Sequence, residues 1–190
     1  MLSAISILFP GHPVPHAKGY SVISRHFIKL HIRHHETALL FEIHEQVRTG
    51  IEENLNDDAF HKRVPRCLRF DTMDMRSILI DVEHVQALGF TTDATEWSAR
   101  PAQDAERALF YLRDCAVPLA ARVDRPDQLF DGVTNIGFRT SVVRYIDLEV
   151  DDGDSLRLTA ADVVCVVAPQ RMYNEGRRIV ASEDGLPLDG

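Results

Sequence analysis

Residues 59–88 read AFHKRVPRCLRFDTMDMRSILIDVEHVQAL, and residues 137–166 read GFRTSVVRYIDLEVDDGDSLRLTAADVVCV. The second segment lies over the first without a gap at an offset of 78 positions. Six pairs are identical: Phe60/Phe138, Val64/Val142, Arg66/Arg144, Asp74/Asp152, Ser77/Ser155 and Val85/Val163. Leu68/Ile146, Phe70/Leu148, Asp71/Glu149 and Ile80/Leu158 are conservative. Both segments spell strand, acidic turn, strand, short break, strand. A hairpin of this size cannot bury its own apolar face, so a chain holding two such units must pack them together. A weaker echo lays residues 27–37, FIKLHIRHHET, over residues 145–155. Any two half-buried hairpins share an alternating pattern, so duplication and coincidence both stay open.

The other elements follow from periodicity. Ile28, Leu30 and Ile32 alternate on one face of a strand. Segments 67–71, 77–82, 141–150, 156–158 and 163–168 are further strand candidates. Residues 38–55 fit a returning strand or a helix, since Leu40, Ile43, Val47 and Ile51 also suit helical spacing. A helix is expected over 101–116: Pro101 suits its first turn, Ala105, Ala108, Leu109, Leu112 and Ala116 form a stripe, and Pro118 ends it. The fold class expected is α+β and β-rich, with two related antiparallel lobes at 20–88 and 137–181 joined by that helix. One domain over 1–181 would leave 182–190 as a disordered tail, because that stretch holds two Gly, a Pro and three acids.

Composition narrows the function classes. A chain of 190 residues buries about 70% of its unfolded surface and can hold a core without staples. No apolar run approaches the roughly 20 residues of a membrane helix. The charges number 21 basic against 29 acidic, a formal −8, which disfavours general affinity for nucleic acid. Cys67, Cys115 and Cys165 are odd in number and far apart, which suits buried thiols in a reducing, cytoplasmic setting. The first ten residues lack a basic leader segment and read as a strand.

Seven of nine histidines precede residue 45. His31, His34 and His35, with Glu36 adjacent, could hold zinc or another divalent metal and leave a position open for water. No H-E-x-x-H motif or pair of C-x-x-C motifs supports this, and His31 and His34 would face opposite ways along a continuing strand. Residues 132–140 miss a phosphate loop, because Phe138 stands where its Lys belongs. Residues 151–154 miss a calcium loop, because Leu148 and Val150 fall on ligand positions. No G-x-S-x-G elbow occurs, and Cys67 between Arg66 and Arg69 has no identifiable base.

The surface candidate is residues 170–178, QRMYNEGRR, read as a turn between strands at Asn174-Glu175-Gly176. Arg171, Tyr173, Arg177 and Arg178 would cluster there, and Arg and Tyr are the residues that anchor interfaces. The expectation is therefore a non-enzymatic binding or regulatory module for a protein partner, without cofactor or catalytic residues, and a homodimer through exposed hairpin edges. The alternative is a small metal-dependent enzyme built on His31, His34, His35 and Glu36.

Overall fold

In the computed structural model, which describes residues 25–62, 67–92, 106–123, 125–127, 129–130, 145–149 and 154–183, ten strands form three antiparallel sheets. The first strand, β1 (His26–Ile32), turns back into β2 (Leu39–Ile43). Helix α1 (Glu45–Asn56) follows at once, so residues 38–55 hold a strand and then a helix. His44 caps α1 by accepting the Gln46 amide at 3.3 Å, and Glu45 places negative charge in its first turn. Val47, Ile51 and Leu55, spaced by four, turn one face of the helix to the core. A four-residue helix, α2 (Asp58–His61), precedes β3 (Cys67–Asp71) and β4 (Arg76–Asp81). A 3₁₀ turn at Val82–His84 leads into β5 (Val85–Thr91).

The later elements repeat this order. Strands β6 (Arg107–Leu112) and β7 (Leu119–Arg122) form a hairpin, and β8 (Tyr145–Glu149) and β9 (Ser155–Thr159) form another. A 3₁₀ turn at Ala160–Asp162 then leads to β10 (Val163–Pro169) and helix α3 (Gln170–Glu183).

The registers match residue for residue. Phe27 faces Glu42 and Leu30 faces Leu39; eighty positions later, Arg107 faces Arg122 and Phe110 faces Leu119. Cys67 opposite Asp81 and Asp71 opposite Ser77 recur as Tyr145 opposite Thr159 and Glu149 opposite Ser155. Strand β5 pairs with β1 as β10 pairs with β6, and each ladder carries its irregularity at the same place, beside Ile32 and beside Val163. Even the loop bonds correspond: the Arg33 amide donates to the His84 carbonyl at 2.9 Å, and the Arg113 amide to the Asp162 carbonyl at 2.6 Å. By register, β3–β5 correspond to β8–β10 at an offset of 78, and β1–β2 to β6–β7 at 80. The echo at residues 145–155 sets β1 over β8, whereas by register β1 corresponds to β6.

Segment 107–112 is a strand where a helix was expected. Ala108 and Phe110 sit in one core while Leu109 and Tyr111 face the other. A strand apolar on both faces has no period of two, and its run of apolar residues imitates a helical stripe. Residues 101–105 lie outside the described set, as do 1–24, 93–100 and 131–144. The second set of strands accordingly starts at 107, ahead of residue 137. Helix α3 continues to Glu183, so Ser182 and Glu183 are helical, and residues 184–190 lie outside the described set.

The halves are not packed as mirror copies. The five-stranded sheet runs β3-β4-β10-β6-β7, so β10 joins the first half's β4 to the second half's β6. Every residue of β4 and of β10 is buried. One core, with Ile28, Leu30, Phe41, Ile78, Ile80 and Val167, lies between this sheet and β2-β1-β5. The other, with Leu79, Phe110, Leu129, Leu148, Leu158 and Val166, lies on the opposite face beneath β8–β9 and α3. The expected class, α+β and β-rich with antiparallel sheets, is the observed one.

Candidate functional site

Helix α3 leaves β10 directly after Pro169, and its sequence sorts by helical spacing. Met172, Tyr173 and Gly176 are buried, whereas Arg171, Asn174, Glu175, Arg177 and Arg178 are exposed. Residues 170–178 are therefore the first turns of a helix, with a buried and an exposed face, and not a turn between strands. Gly176 misled the sequence reading, since Asn-Glu-Gly reads as a reversal. Its actual role is close approach: a Cβ there would fall on the Pro126 carbonyl oxygen and lie 2.8 Å from the Phe130 Cβ.

Tyr173 does not sit at an exposed tip. It is only 6% exposed, its ring tilts against Phe130 at 5.2 Å, and the Arg69 guanidinium stacks over it at 4.5 Å. Of the four expected anchors, Arg171, Arg177 and Arg178 remain on the surface and Tyr173 belongs to the second core. The start of the helix is fixed to β3. The Gln170 side chain donates to Asp71 Oδ2 at 3.0 Å, and Ser77 donates to Asp71 Oδ1 at 2.6 Å.

Beside α3 opens a cleft of about 310 Å³, lined by Glu106, Arg122, Val123, Pro126, Arg171, Met172 and Glu175. Arg171 pairs with Glu106 across its rim. The rim carries both signs of charge, while Val123 and Met172 give it an apolar floor. A volume near 300 Å³ accepts one large side chain or a short peptide stretch. Nothing in the sequence reading connected Glu106, Arg122 or Pro126 with residues 170–178; Glu106 precedes β6, Arg122 ends β7 and Pro126 follows it. Their shared neighbourhood arises from the β6–β7 hairpin, whose first strand falls inside the helix expected over 101–116 and whose second lies beyond it.

The histidines separate. His31 is exposed on β1. His34 leaves the turn with its Nε2 3.2 Å from Asp114 Oδ1. His35 turns inward, its Nδ1 donating to the Ala116 carbonyl at 3.1 Å and its ring meeting Tyr111 edge-on at 5.0 Å. Glu36 is exposed in the turn that follows them. Among the described residues, no three His, Cys, Asp or Glu side chains converge as metal ligands. His12 and His16 lie outside the described set.

Cys165 is buried in the first core, and desolvation raises its thiol far above the ordinary range, so it is no nucleophile near neutral pH. Cys67 is half-buried and Cys115 exposed. No helix among the described residues is long and apolar enough to cross a membrane. No family model matches the chain, and neither a curated protein nor a solved structure resembles it.

Proposed function

We propose that the chain is a non-enzymatic binding module acting through protein–protein contacts, with the cleft beside α3 as its docking site. One observation carries this: a mixed-charge rim of Glu106, Arg122, Arg171 and Glu175 surrounds the apolar floor of Val123 and Met172. Apolar contact there supplies affinity, and the paired charges select a segment that presents an apolar side chain between an acidic and a basic one. Arg177 and Arg178, nearly two turns beyond Arg171 along α3, extend the basic side toward an acidic portion of the same partner.

The test uses a partner recovered by unbiased capture with the wild-type chain. Arg122→Glu with Arg171→Glu reverses the basic side of the rim and should weaken binding at least tenfold, which corresponds to about 1.4 kcal/mol. The triple variant His31→Ala, His34→Ala, His35→Ala should bind as the wild type does. Unchanged binding in the first variant, with binding lost in the second, would reject the cleft and return attention to the histidine turn.

A further inference from the structure

The outer edge of β5 stands out among the sheet margins. Among the described residues, the strands at sheet edges are β2, β5, β3, β7, β8 and β9. Five of them carry charge: Glu42 in β2, Arg69 and Asp71 in β3, Arg122 in β7, Asp147 in β8 and Arg157 in β9. Soluble proteins blunt exposed edges with such charges to prevent strand addition. Strand β5, VQALGFT, has seven residues with no charge and no proline. Gln86, Ala87 and Gly89 along it are exposed.

The internal correspondence says what this edge accepts. Its counterpart β10 takes an antiparallel strand on the matching side, with Cys165 opposite Ile80 and Pro169 opposite Arg76. The chain's own equivalent of that partner is β9, and β9 is not paired with β5 among the described residues. It is also unsuited to the role. Arg157 occupies the position of Leu79, bonded to Asp147 at 2.6 Å and stacked on Tyr145, whereas Leu79 is buried in a core. Among the described sheet edges, the one without charge that matches β5 is β5 itself.

We infer that β5 pairs antiparallel with β5 of a second copy of this chain, joining two β2-β1-β5 sheets into one six-stranded sheet across a two-fold axis. This contact is separate from the α3 cleft and does not depend on it. Antiparallel pairing near Leu88 places Ala87 of one copy beside Gly89 of the other, on the same face. A side chain at either position is tolerated by the single chain, because Ala87 is exposed and a Cβ on Gly89 meets nothing within 4 Å.

The experiment is sedimentation of the full chain across the micromolar range. The wild type should sediment at twice its 21.5 kDa mass. Ala87→Lys with Gly89→Lys, and separately Ala87→Glu with Gly89→Glu, bring four like charges together and should each weaken the dimer by about tenfold or more. Mixing the two variants should restore it as a heterodimer, which unfolded chains could not do. A monomeric wild type overturns the inference without any variant. So do variants that dimerise as tightly as the wild type.

Discussion

His34 and Asp114 occupy the same place in the two halves, eighty positions apart, and they touch, Nε2 to Oδ1 at 3.2 Å. Each sits in the turn after its strand with a left-handed backbone, φ 67° at His34 and 60° at Asp114. Two hairpins built to one plan thus meet at equivalent points, and the contact is reinforced by the bond from His35 to the Ala116 carbonyl. Both partners of the pair are mostly exposed, so solvent screening limits it to at most about 1 kcal/mol. The halves are held together chiefly by β10 and the cores on either side of it.

The third left-handed residue offers a cleaner test of backbone strain. Met75 has φ 61° in the β3–β4 turn and its side chain is exposed, so it gives little packing in return. Glycine removes the Cβ conflict, worth about 1–2 kcal/mol, but adds unfolded-chain entropy of about 0.4–1 kcal/mol. Met75→Gly should therefore raise stability by up to about 1 kcal/mol in urea unfolding. A loss would mean that the methionine makes a contact the turn depends on.

Two helical glycines should respond in opposite directions. Gly176→Ala drives a methyl into the Pro126 carbonyl, and because backbone is struck, the cost should exceed the helix-propensity gain and reach about 1–3 kcal/mol. Gly50→Ala in α1 meets nothing within 4 Å and should stabilise by up to about 1 kcal/mol. Thermal unfolding of the two variants side by side reads the contrast directly.

Tyr173→Ala should destabilise the protein by about 3–5 kcal/mol, as truncation of a buried aromatic does. Tyr173→Phe keeps the ring against Phe130 and under Arg69, and should cost far less. Denaturant midpoints separate these cases. A Tyr173→Ala chain as stable as the wild type would place the residue on the surface instead of in the core.

These contrasts mark how far the sequence could be read. Strands β3, β8 and β9 were legible because apolar and polar residues alternate along them, and β4, buried along its whole length, because it follows β3 across a short acidic turn. Strands β6 and β7 were not, since half-buried Leu109 and buried Tyr111 lie on the face that alternation would make polar. That burial is tertiary: the first half covers them. Of the residues the sequence singled out, Arg171, Arg177 and Arg178 are exposed, on a helix and not at a hairpin tip, and Arg171 lines the cleft. The sequence reading misplaced Tyr173, whose polar tip says nothing about whether its ring is covered, and it missed Glu106 and Arg122, which only the unseen hairpin brings to α3.

Alkaline pH should weaken the fold through Cys165. Burial raises its folded-state pKa above the unfolded value, so the thiol's contribution is complete below the unfolded pKa of about 8.5–9 and is lost as pH rises beyond it. Each further pH unit should cost about 1.4 kcal/mol while the folded thiol stays protonated. Cys165→Val should remove that slope. Persistence of the same slope in the variant would assign alkaline unfolding to other groups.

Photo-crosslinking from position 175 tests the binding module most directly. A crosslinking residue replacing the exposed Glu175 lies on the cleft rim, and one replacing the exposed His31 lies on the β1 face. With the recovered partner bound, the predicted result is a covalent adduct from position 175, abolished by Arg122→Glu with Arg171→Glu, and none from position 31. An adduct from position 31 with none from position 175 would contradict the assignment of the cleft beside α3 as the docking site.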